Sequence, residues 1–244
     1  MTLATMVVMV LCIKAGLWQF SRAEEKRVLQ MQLNARQNEP STALPDKIAS
    51  LKKEDLELWR FRRVKFTGTY DTHYQVLLDN QVENTVAGYH VLTPMHVEGG
   101  KVYVLVNRGW IAGTPDRKIP EVNAPQGIQT IEGDVALPPS KFFTLEAPPL
   151  KQGDWQQIWQ NTQVWQNLDM RLYAKLVPFA IQPFVVRLNA NSNAGGFIRN
   201  WPPPGERVSM HLGYAYQWFG FALTLLVIFI VLNVKQKNIE KVEH

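Results

Sequence analysis

The amino-acid sequence predicts an α+β protein in which two terminal transmembrane helices flank one antiparallel, β-rich extracytoplasmic domain with a short helix. Three observations predict it. Residues 212–234 carry no charged side chain, residues 1–20 carry only Lys14, and residues 62–135 alternate short β-branched and aromatic runs with turn residues. The chain divides accordingly into a first span (1–20), a juxtamembrane helix and linker (21–45), the β-rich domain (46–200), a Pro-rich linker (201–211), a second span (212–234) and a cytoplasmic tail (235–244).

The second span is the stronger of the two. As a helix, the 23 residues from Leu212 to Val234 reach roughly 35 Å at about 1.5 Å per residue, enough to cross a bilayer. Thirteen of them are Leu, Ile, Val or Phe, which together favour insertion by about 4–8 kcal/mol. Tyr214, Tyr216 and Trp218 form an aromatic belt at one rim, and Lys235, Lys237 and Lys241 form a basic anchor beyond the other.

In the first span Lys14 would cost roughly 3 kcal/mol at mid-bilayer. It precedes Phe20 by six residues, so its ammonium can snorkel toward the interface marked by Trp18. A cleaved signal peptide is the rival reading, because Ser21-Arg22-Ala23 places small residues where a signal peptidase inspects them. The bulky Trp18-Gln19-Phe20 and the lack of a preceding basic run speak against it.

Charge gives two opposed statements about orientation. The Lys-rich tail argues for a cytoplasmic C-terminus, whereas Arg22, Lys26 and Arg27 argue that the middle is cytoplasmic too. Loops longer than about 60 residues largely escape the positive-inside rule, so the expected topology has both termini inside and residues 21–211 outside.

The charged, Gln-rich residues 21–39 extend the first helix until Pro40 and Pro45 end it. Strands are expected at Val64–Tyr70, Gln75–Leu78, Tyr89–Met95, Val102–Asn107 and Ile128–Val135. Gly99-Gly100 is the best hairpin turn, since paired glycines tolerate positive φ. Lys101–Val106 alternates only loosely, which predicts cover on both of its faces. Leu168, Leu172, Tyr173 and Leu176 recur at helical spacing, Pro178 stops that short helix, and Pro183–Leu188 supplies a last strand. The Trp201-Pro202-Pro203-Pro204-Gly205 segment favours polyproline II. One unit results, its sheet curled toward a barrel.

Several function classes are disfavoured. A single cysteine, Cys12, leaves no intramolecular disulfide and no thiolate cluster for zinc. The net charge of +5 is spread among acids without a basic stripe, so no nucleic-acid partner is expected. No Gly-x-Ser-x-Gly elbow, phosphate-binding loop, His-Glu-x-x-His helix or dinucleotide fingerprint occurs, and the expectation is a protein that is not an enzyme. His73, His90, His96, His211 and His244 show no metal-ligand spacing. His90 reads as a partly buried strand residue, and His73 and His244 as solvated. Trp155, Trp159, Trp165 and Trp201 read as core or membrane-facing residues.

Two places carry a sharper reading. His211 precedes the charge-free span by one residue on the aromatic-belt side, where an imidazole nitrogen can ligate iron while an apolar macrocycle lies against the helix. Phe219, Phe221, Leu225 and Leu226 would offer an isoprenoid tail a nonpolar surface. The plainer alternative is an interfacial histidine meeting water and headgroups. Asn107-Arg108-Gly109-Trp110 closes the strongest strand. Arg108 pairs locally while Trp110 fills the core in one reading, and in the other the two form an interaction patch, the pair most enriched at hot spots; the two readings are not exclusive.

Four motifs occur in order: Gly16-Leu17-Trp18-Gln19 with Arg22 and Lys26; Gly88-Tyr89-His90-Val91-Leu92-Thr93-Pro94; Asn107-Arg108-Gly109-Trp110; and His211 with Tyr214-Ala215-Tyr216-Gln217-Trp218-Phe219. Placed between two terminal spans, they make the sequence resemble the surfeit-locus family of cytochrome c oxidase assembly factors over almost the whole chain. The resemblance implies two transmembrane helices around a β-rich domain, and a non-enzymatic part in maturing the large catalytic subunit of the oxidase around haem a. It implies His211 as ligand to the haem iron, Trp218 as a second cofactor-binding residue, and Arg108, Gly109, Trp110 and Tyr214 as interaction positions. The oxidase large subunit and the lipid bilayer are the expected partners, with haem a synthase a further candidate. The extreme N-terminus is poor in Arg and Ser, which disfavours a mitochondrial presequence and points to a bacterial inner membrane. The competing reading is a membrane scaffold that binds the nascent oxidase subunit without binding haem.

Overall fold

The computed structural model describes residues 2–49, 52–114, 118–138 and 164–240. Trp155, Trp159, Pro148-Pro149, Lys241 and His244 lie outside them. The chain forms two compact units, one of residues 1–34 with 202–244 and one of residues 35–201.

The helical unit is built on α1 (Thr2–Gln37) and α4 (Val208–Glu240). Both are long and apolar enough to cross a membrane. Their apolar side chains face outward, Leu3, Leu11, Leu223 and Val231 among them, which distinguishes them from core helices of a water-soluble fold. The two helices run antiparallel: Gln30 meets Gly205, Gln19 meets His211 and Gly16 meets Phe219. The seam is lined by small residues, Cys12, Gly16 and Ala23 on α1 against Ala215 and Ala222 on α4. Small side chains let two helices approach closely, the usual device where lipid supplies no hydrophobic drive. A Cβ on Gly16 would sit 2.6 Å from the Phe219 ring. α1 passes through Ser21-Arg22-Ala23 without a break.

The β-rich unit contains α2 (Lys53–Glu57), β1 (Arg63–Tyr70), β2 (Val76–Glu83), β3 (Val86–Val97), β4 (Val102–Ala112), β5 (Gln129–Ala136), β6 (Val164–Trp165), α3 (Met170–Leu176) and β7 (Ala180–Leu188). Among the described residues, seven strands form one sheet in the order β1-β5-β7-β4-β3-β2-β6, and a further β1–β3 pairing at Gly68–Tyr70 closes five of them into a barrel-like ring. The expectation of an antiparallel sheet needs correction. β4 pairs with β7 in parallel, as β2 does with β6. Parallel neighbours need long crossover connections, and nothing in a strand's own alternation names a partner so far along the chain.

Local chemistry explains the elements. Gly99 turns the β3–β4 hairpin with φ +77°, while Asn84 and Thr85, both at positive φ, turn β2 into β3. Asp169 caps α3, its Oδ1 accepting from the backbone N–H groups of Arg171 and Leu172. β7 begins before Pro183 because that proline falls where the β4–β7 register shifts between Tyr103 and Leu105, a place where a missing ladder donor is tolerated.

β4 and β7 are covered on both faces. Val104, Val106, Phe184, Val186 and Leu188 point into the barrel with Val64, Phe66 and Ile131. Leu105, Ile181 and Val185 point outward against Leu168, Tyr173 and Leu176 of the α3 segment. Each such side chain contributes roughly 1.5–3 kcal/mol on burial. Buried Gln182 ties the preceding linker to β7: its Nε2 donates to the carbonyls of Pro45 and Lys47, and its Oε1 accepts from Ala49 N–H.

Candidate functional site

The four motifs read from the sequence meet in two pairs, one pair in each unit. In the β-rich unit, β3 and β4 lie side by side with His90 opposite Trp110 and Leu92 opposite Asn107. Arg108 is 2% exposed, the largest fully buried side chain among the described residues. Its Nε donates to Gly195 O at 2.7 Å and its Nη2 to Asn123 O at 2.7 Å. Its Nη1 reaches Gln75 Oε1 at 3.2 Å and Thr93 Oγ1 at 3.3 Å, and Thr93 in turn donates to Gln75 Oε1 at 2.7 Å. The rings of Tyr70 and Phe197 face the guanidinium at 5.1 and 5.0 Å. Every hydrogen-bond acceptor is a neutral oxygen, so burial lowers the Arg108 pKa, with Tyr70 opposing the shift. Burial also raises the Tyr70 hydroxyl to about 12, against the pull of Arg108 and Arg199. That hydroxyl donates to Ala194 O at 3.0 Å.

Arg108 therefore fastens two loops, through Asn123 and Gly195, to the barrel wall. The remaining motif residues serve the same junction. Gly109 adopts φ +122°, where an L side chain is strained, and its Cβ would come 2.6 Å from Ile198 O. Trp110 exchanges backbone hydrogen bonds with Ile198 and donates Nε1–H to Gln81 O at 3.0 Å. Arg108 bonds locally and Trp110, 7% exposed, fills the core, which is the structural reading of the two taken from sequence and leaves the interaction reading untouched. His90 packs edge-to-face on Trp201 at 5.5 Å, and burial together with Arg187 lowers its pKa to about 4, with Glu83 opposing. His96 lies against Tyr103. Among the described residues no three His, Cys, Asp or Glu side chains gather as a metal site.

In the helical unit, His211 occupies the first turn of α4 and is half-buried on the seam with α1. Its Nδ1 lies 2.8 Å from Gln19 Oε1. Gln19, on the same α1 face as Cys12, Gly16 and Ala23, belongs to the first of the four motifs, where the sequence assigns it no role of its own. Its only signal was a polar side chain beside an apolar run. On the same helix pair a groove of about 190 Å³ is walled by Phe20, Ala23, Glu24 and Arg27 of α1 and by Val208, Leu212 and Tyr216 of α4, with neither Gln19 nor His211 in its lining. Trp218 lies one heptad beyond His211 on nearly the same helix face, roughly 10 Å along the axis. It is 36% exposed and meets Phe221 edge-on at 5.9 Å. Tyr214 is 47% exposed, so of the four interaction positions it is the side chain that faces outward.

A pair of apolar helices with a half-open histidine, joined in one chain to a barrel-like β unit locked by a buried arginine, defines the class of protein. The SURF1 family model matches residues 6–223, and the chain belongs to that family, the surfeit-locus family of the resemblance above. A SURF1-like protein of Rickettsia felis is 25% identical over 94% of this chain and 95% of its own length. A SURF1-like protein of Dictyostelium discoideum is 33% identical over 43% of this chain and 41% of its own. The cytochrome oxidase assembly protein SHY1 of Saccharomyces cerevisiae is 26% identical over 64% of this chain and 38% of its own.

Proposed function

We propose that this chain is a membrane-tethered, non-enzymatic factor of cytochrome oxidase assembly that receives haem a as cargo at His211 and passes it to the large catalytic subunit. The family and the name of the yeast relative support the assembly role. The observation that carries the haem reading is the state of the His211 ring. Its Nδ1 is engaged by Gln19, and among the described residues the ring has no other hydrogen-bond partner, so Nε2 is available to iron. The groove of about 190 Å³ between the helices is smaller than the roughly 300 Å³ at which drug-sized pockets begin. Neither His211 nor Trp218 lines it, so in this reading the cargo is held chiefly by the His211 bond against the outward apolar surface of the helices. A cargo that must be handed on is better served by such a hold than by a closed cage with two axial ligands.

In this reading the apolar helices lie in a bacterial inner membrane with both termini cytoplasmic, the β-rich unit is periplasmic, and haem a synthase supplies the cargo. The scaffold alternative would have to use more than the side chains of Arg108 and Trp110, which are buried. Deletion of the gene followed by haem analysis of the remaining oxidase tests the proposal. Delivery predicts an oxidase polypeptide that persists with its haem a depleted. Disappearance of the polypeptide itself, with haem a normal in whatever remains, would overturn delivery in favour of scaffolding.

A further inference from the structure

Gln19 and His211 are 192 residues apart in sequence and 2.8 Å apart in space. The atom of Gln19 that faces the ring is Oε1, a carbonyl oxygen, which accepts but cannot donate. The proton of the neutral imidazole must therefore sit on Nδ1, leaving the Nε2 lone pair free. A free histidine side chain in water prefers the opposite tautomer, with the proton on Nε2, where no metal can bind. From this geometry we infer that Gln19 is a positioning residue for His211: it sets the ring's tautomer and rotation so that Nε2 is presented as the ligating nitrogen.

The location strengthens the effect. Gln19 is flanked on its face of α1 by Gly16 and Ala23, both buried in the seam, where little water competes for the hydrogen bond. The choice of an amide also matters. A carboxylate at this position would draw the Nδ1 proton, raise the basicity of Nε2 and strengthen the axial bond. A neutral amide orients the ring without that gain, which suits a ligand that must let go.

This inference rests on the proposed ligand role of His211, and two measurements on the full-length protein in detergent separate their failures. Nitrogen-15 NMR of the imidazole in the cargo-free protein reads the tautomer directly. The native protein is expected to carry the His211 proton on Nδ1, and Gln19→Leu to shift it toward Nε2. A native protein with the proton on Nε2 would overturn the inference whatever haem does. Titration with haem a then compares affinities. Loss of a ligand-orienting hydrogen bond typically weakens binding about 10–100-fold, so Gln19→Leu should bind in that range more weakly, while Gln19→Glu binds at least as tightly as the native protein and releases haem more slowly to an acceptor. If Gln19→Leu binds like the native protein while His211→Ala loses its signature, the positioning role fails and the ligand role stands. If His211→Ala also leaves the spectrum unchanged, both fail.

Discussion

The seats of Arg108 and His211 use similar polar chemistry to opposite ends. Arg108 is enclosed by four oxygen acceptors and two aromatic rings in the wall of the barrel. His211 makes one side-chain hydrogen bond on the seam of two helices and leaves a ring nitrogen uncommitted. A group bonded on every side holds its surroundings together. A group bonded on one side can be oriented and still accept a ligand. Both positions stood out in the sequence as polar residues in apolar settings, so it is the number of committed atoms that separates Arg108 from the proposed ligand, His211.

That contrast is broken most forcefully at Arg108. Its replacement by Leu strips Gly195 O, Asn123 O and the Gln75–Thr93 pair of their donor. The full chain should lose about 3–5 kcal/mol of stability, the cost of opening a buried charged network. Thermal melting in detergent followed by β-sheet circular dichroism measures it, and a melt within a degree or two of the native one would dissolve the distinction between the seats. Gly109→Ala probes the same junction more gently. A side chain at φ +122° that also approaches Ile198 O should cost roughly 2–3 kcal/mol, read as earlier proteolysis of the 189–199 loop.

The third prediction concerns pH. His90 is held neutral in the fold with a pKa of about 4, against an ordinary value of 6.5. The unfolded chain therefore binds a proton in a window where the folded chain does not, and folding stability must fall as pH drops from 6.5 toward 4. The full shift corresponds to about 3 kcal/mol. His90→Phe should flatten the melting temperature across that window, and an unaltered acid slope would remove His90 from the account.

The sequence made some of these elements legible and hid others for physical reasons. The β3–β4 hairpin was announced by Gly99-Gly100, because glycine is the residue that accepts positive φ freely. The β2–β3 turn, with Asn84 and Thr85 at positive φ, was missed because neither residue is glycine and Thr is a poor candidate for that conformation. The loosely alternating Val102–Val106 run did indicate a strand buried on both faces. Its parallel partner β7 could not be read, since pairing across so long a crossover leaves no local trace. β7 itself starts at Ala180, three residues before the expected Pro183, because a register shift accommodates the proline. At the candidate site, His211 was legible as a lone imidazole at the edge of a span. Gln19 acquires meaning only when the two ends of the chain are brought together, and the motif containing Thr93 only when β3 lies beside β4.

The central claim is that cargo meets this protein at the open seat. Absorption spectroscopy of haem a added to purified native protein and to His211→Ala tests it directly, with melting curves recorded alongside. The account predicts that His211→Ala melts within about 1 kcal/mol of the native protein, as expected for a half-buried residue that makes one side-chain hydrogen bond, yet loses the haem a spectral signature. A native spectrum in the His211→Ala protein would contradict it.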